Sequence, residues 1–180
     1  MRSNPWLIAV LLLISPSLYA HTGSEIDHSL LSGLTHPITG LDHLLVLIGI
    51  GICSAKLASK SLFTLPILFL LAMASGALIN FSAIKLPWVE PLILISVIAV
   101  GALASINYRW FFRIALASVS FFGIFHGYAH AAEMTNNTNL LLYFAGILLI
   151  SLVICLISCA ITLCFRKRFS VFYRASVNDL

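Results

Sequence analysis

Five apolar runs, each closed by polar or basic residues, lay out this chain: about Leu41–Ala55, Leu62–Asn80, Pro91–Ile106, Trp110–Glu133 and Leu140–Cys164. Most approach the ~20 residues a bilayer requires, while the first and third are short unless their flanks contribute. The pattern predicts an all-α, polytopic membrane bundle of about five transmembrane helices, forming one domain over residues 21–180. Residues 1–20 read as a secretory signal peptide. Arg2 supplies a positive start, Trp6 to Ile14 a short apolar core, and Ser15-Pro16 a break before Ala20. Cleavage there makes His21 the mature N-terminus, although Leu18 is larger than the residue usual at its position.

Polar punctuation refines the first span. His36 precedes Pro37 and is pushed away from helical geometry, so a break is expected there, with a half-helix over Leu30–Thr35 extending the span backwards. Thr39 then serves as N-cap, with Asp42 at N3.

Composition agrees with a membrane protein. The chain of 180 residues is 61% hydrophobic and 9% charged, against about 25% charged in soluble domains. Its net charge of +4 does not mark a nucleic-acid binder, because the basic residues are dispersed between apolar runs. They orient the spans instead. With the N-terminus outside and the C-terminus inside, the cytoplasmic segments collect Lys56, Lys60, Arg109, Arg113, Arg166, Lys167, Arg168 and Arg174, and the outer loops hold only Lys85. The same topology puts all six histidines and five of the six acidic residues (Glu25, Asp27, Asp42, Glu90, Glu133) on the outer side. The four cysteines lie inside apolar segments without CxxC spacing, so no disulfide framework is implied.

Two polar clusters on distant spans therefore share one membrane depth. In His126-Gly127-Tyr128-Ala129-His130-Ala131-Ala132-Glu133, a helix advancing about 100° per residue sets the histidines one turn apart, with Glu133 on the same stripe, about 20° from His126 on the side away from His130. That i,i+4 pair is a spacing helical metal sites use. Interfacial histidines bonded to backbone or water are the alternative, but ionisable groups in a span are functional by default. Gly127, with Gly123 a turn earlier, admits a close neighbouring helix.

The second cluster is His36, Asp42 and His43. Adjacent residues diverge by about 100° on a helix, so one of Asp42 and His43 ligates directly while the other orients it or completes the site at an angle. Asp42 also suits a helix N-terminus. His36 reaches back only if turns at Pro37 and Gly40 fold the loop over the helix. The two clusters are expected to face each other around a divalent metal ion. His21 adds a conditional ligand through its amino group and ring, with Glu25, Asp27 and His28 as an outer capture arm; a solvated terminus is the alternative.

Other residues carry weaker signals. Cys155 and Cys159 read as small hydrophobes rather than exit-path ligands. Tyr108, Trp110 and Phe111 fit an interfacial aromatic belt. Met73, Ser75, Gly76 and Ala77 form a close-packing surface, and Asn80 is placed to reach the metal region.

The arrangement His36-Pro37-x-x-Gly40-x-Asp42-His43, together with Phe125-His126-Gly127-Tyr128-Ala129-His130-x-x-Glu133, resembles the HupE/UreJ family of small bacterial inner-membrane proteins. The resemblance implies a nickel or cobalt permease, serving hydrogenase, urease or cobalamin enzymes. The chain departs from the family's pattern in two respects: Val46 and Leu47 stand where a Met is frequent, and Ala131 where Gly is common.

Imidazole with carboxylate suits nickel, cobalt, zinc or copper(II) as the transported substrate, and the lack of Met or Cys at the site argues against copper(I). No P-loop is present. A doubly charged ion moving down 100 mV gains about 4.6 kcal/mol, enough for accumulation without ATP. The implied partners are the ion and the lipid bilayer, with homo-oligomerisation open and nucleic acid excluded. An intramembrane metal hydrolase and a haem protein with axial histidines are the rival classes.

Overall fold

The computed structural model describes residues 29–57, 62–105, 111–135 and 138–178, from residue 169 onward as backbone alone. These residues form six helices and no strand: α1 (Ser29–Thr39), α2 (Leu41–Lys56), α3 (Thr64–Phe81), α4 (Val89–Ser105), α5 (Phe111–Ala132) and α6 (Leu140–Asn178). The expected signal peptide and His21 lie outside the described residues.

Among the described residues, three helices are long and apolar enough to cross a membrane: α3, α5 and the Leu140–Arg168 part of α6. The bent pair α1 and α2 makes a fourth if taken as one span. The expected third span, α4, has 17 residues, about 25 Å at 1.5 Å per residue. The five expected apolar segments thus correspond to three long helices, one bent pair and one short apolar helix, and the first and third are the short ones, as expected. The last span also continues well past Cys164.

The break in the first span is displaced from its expected place. α1 runs through His36 and Pro37 to Thr39, and the chain turns by 78° at Gly40. Gly40 has extended backbone (φ −81°, ψ 105°), so it ends one helix and its carbonyl opens the next, accepting from Leu44 N at 2.9 Å. Thr39 is therefore not an N-cap. Its hydroxyl donates back into α1, to the carbonyls of His36 (3.0 Å) and Thr35 (3.3 Å). Gly40 holds the cap position, and Asp42 falls at N2 rather than N3.

Glycine sets how closely the helices pack. A Cβ on Gly127 would overlap the carbonyl of Met73, and one on Gly76 the carbonyl of Ile124, so α3 and α5 meet backbone to backbone. Gly123 continues that seam against Ala72 and Phe69. Met73, Gly76 and Ala77 are buried there as expected, whereas Ser75 is exposed and bonds only to Leu71 O (2.9 Å). Gly33 meets the Tyr143 carbonyl in the same way, joining α1 to α6. Val46, Ile50, Phe69, Met73 and Ile147 fill the centre.

The basic residues gather at the far end. Arg166 Nη1 donates to the Ala55 carbonyl (2.9 Å) and Lys56 Nζ to that of Leu103 (3.3 Å), so both cations answer carbonyls at helix C-termini. Lys56 also lies over the Phe111 ring at 5.1 Å. Phe111 is consequently buried and is no part of an exposed aromatic belt; Tyr108 and Trp110 lie outside the described residues.

Candidate functional site

At the opposite end from Lys56, the turn at Gly40 and the terminus of α5 converge. The corner of α1 and α2 carries His36, Asp42 and His43; α5 carries His126 and His130, and Glu133 stands in the turn just beyond it. The His43 ring centroid lies 4.6 Å from those of both His126 and His130, and His36 lies 4.9 Å from His130 and 6.0 Å from His43. All six residues expected at the site, His21 aside, are brought together. His36 reaches back because the chain folds at Gly40 alone; the second turn expected at Pro37 is replaced by continuous helix.

Two layers can be separated by exposure. In the outer layer His36 Nε2 is 2.9 Å from Glu133 Oε2, with side chains 19% and 31% exposed. Ligand atoms of His36, His130 and Glu133 all lie within 4.8 Å of one another, a spacing that could hold a metal ion. In the inner layer His126 and His130 are each 1% exposed and His43 is 8% exposed. Glu133 N still bonds to the Ala129 carbonyl (3.0 Å), so the helical path that aligns Glu133 with the histidines extends one residue beyond α5.

Asp42 and His43 divide their work as adjacency requires. Asp42 Oδ1 accepts from His43 N at 2.9 Å and is 2.9 Å from His43 Nδ1. A carboxylate on Nδ1 leaves the lone pair on Nε2, the arrangement in which carboxylates orient metal-binding histidines. His43 Nε2 is buried without a hydrogen-bond partner, and so is His130 Nδ1. Buried polar atoms are normally satisfied, so both nitrogens are suited to a ligand. Gly40 is needed beside them: a Cβ there would sit 3.2 Å from His43 Nδ1 and 3.3 Å from Asp42 Oδ1.

Several neighbours escaped the sequence reading. Ser96 of α4 bonds to His126 Nε2 at 3.0 Å, and Phe69 stacks edge-on against the same ring at 5.5 Å. Met73, placed in the sequence as packing surface, also lines the inner gap between His43, His126 and His130, as does Ser151 of α6, whose buried hydroxyl has no partner. That gap is too tight for a water-sized void. A lone serine in an apolar run carries no spacing signal, so only the packing of α4 and α6 reveals these two. Asn80 is not among the residues lining the gap. Cys155 Sγ, 3.4 Å from the Leu47 carbonyl, and buried Cys159 belong to the packed interior.

The fold and site define a multi-pass helical membrane protein with an imidazole–carboxylate cluster at one end of its bundle. The family described as HupE / UreJ protein matches residues 8–177. The chain is 34% identical over 137 residues to protein HupE of Rhizobium leguminosarum bv. viciae, covering 76% of this chain and 71% of that protein. No solved structure matches. The chain belongs to the HupE/UreJ family.

Proposed function

We propose that this protein takes up a divalent transition-metal ion, nickel or cobalt, across the bacterial inner membrane through the histidine–carboxylate cluster. The observation that carries this is the convergence of four imidazoles from three helices, two of them with buried nitrogens that have no partner. Membership of a family of nickel and cobalt transporters supports the same reading. His36, His43, His126, His130 and Glu133 supply the donors, and Asp42 orients His43. With the basic end in the cytoplasm, the cluster opens outward. A hydrated cation then meets the partly exposed His36 and Glu133 first, exchanges water for nitrogen and oxygen donors, and passes to the buried rings. The membrane potential draws it on, at about 2.3 kcal/mol per charge per 100 mV.

The test is metal accumulation in cells carrying wild type, His43→Ala or His126→Ala at matched protein levels, across nickel, cobalt, zinc and copper. Both variants are expected to lose uptake of nickel or cobalt. Unchanged uptake of every metal in both would refute the proposal, and loss confined to zinc or copper would reassign the substrate.

A further inference from the structure

We infer that Ser96 is a positioning residue for His126, holding its ring as the Nε2–H tautomer so that Nδ1 carries the lone pair a cation needs. The inference rests on the metal-site reading above and adds a residue from a helix that contributes no histidine or carboxylate to the cluster. Ser96 is fully buried, and its Oγ lies 2.5 Å from the Ile93 carbonyl oxygen and 3.0 Å from His126 Nε2. A serine hydroxyl has one proton to give, and a carbonyl can only accept. Two oxygens at 2.5 Å repel unless a proton lies between them, so the hydroxyl donates to Ile93. Its lone pairs are what remain for His126, and Nε2 must donate. A neutral imidazole has a single N–H, which leaves Nδ1 bare.

His43 is held the opposite way. The carboxylate of Asp42 occupies its Nδ1, so its lone pair is on Nε2. The two facing rings, 4.6 Å apart, thus offer different nitrogens, each chosen by an oxygen on its other side. Removing the Ser96 hydroxyl leaves a buried N–H without an acceptor and frees the ring to exchange tautomers.

Nitrogen NMR of histidine-labelled, metal-free, full-length protein in detergent reads this directly, with His126 assigned by the signals lost in His126→Gln. Wild-type His126 is expected to be protonated at Nε2. Ser96→Ala is expected to shift it toward protonation at Nδ1 and to weaken binding of nickel(II) and cobalt(II), titrated separately, by about 10–100-fold. Ser96→Thr, which keeps the hydroxyl, should restore both readouts. A wild-type ring protonated at Nδ1 overturns the inference without recourse to any variant. Ser96→Ala with tautomer and affinities unchanged overturns it as well. If instead His126→Gln binds both metals as tightly as wild type, the metal-site reading at His126 fails, whatever the tautomer.

Discussion

The two halves of the histidine cluster are built by opposite means. On α5, an uninterrupted helix aligns His126, His130 and Glu133, and the helix itself is locked by glycine against the backbone of α3. At the corner of α1 and α2, a helix is interrupted: the 78° turn at Gly40 swings His36 back over His43. One half is a periodic element held rigidly by its neighbour. The other half depends on a single residue without a side chain. The rigid half therefore tolerates little change in packing, while the corner should tolerate small adjustments at the expense of binding geometry.

The largest effect is expected from breaking the rigid half. Gly127→Leu forces a side chain into the Met73 carbonyl, where there is no room for it. A destabilisation above about 3 kcal/mol is expected, read as loss of monodisperse protein on size exclusion. A well-folded variant would show that α5 is less tightly held than its contacts imply.

On the corner, Asp42→Ala removes the carboxylate from His43 Nδ1 without disturbing a helix seam. Nickel(II) or cobalt(II) affinity should fall by about 10–100-fold, with folded yield unchanged; unchanged affinity would mean that His43 needs no orienting partner. Gly40→Ala is milder. Its Cβ would press on the Asp42–His43 pair at 3.2–3.3 Å, and a loss of about fivefold in affinity is expected, equivalent to about 1 kcal/mol. Thr39→Ala should do least. As an N-cap, Thr39 would be worth about 1 kcal/mol; bonded back into α1, it should change thermal stability by no more than about 0.5 kcal/mol.

The same contrast explains which features were legible beforehand. The i,i+4 spacing of His126 and His130 follows from helix geometry alone, and α5 lies within a residue of its expected bounds. The corner was harder to read. Pro37 disfavours helix for the residue before it, but α1 absorbs the proline inside a buried contact with α6, and the turn falls to Gly40 instead. Thr39 lost its expected role for the same reason.

Apolar run length and the pairing of histidine with carboxylate are properties of the sequence, because helix period and the cost of charge in a membrane act locally. They determined an all-helical membrane protein with its two histidine–carboxylate clusters at one end of the bundle. Which groups touch was decided by tertiary packing: glycine contacts bring α2 to α4 and α1 to α6, and so Ser96 and Ser151 meet the cluster. A serine hydroxyl has no periodicity to betray it, and its meaning comes from what another helix places within 3.0 Å.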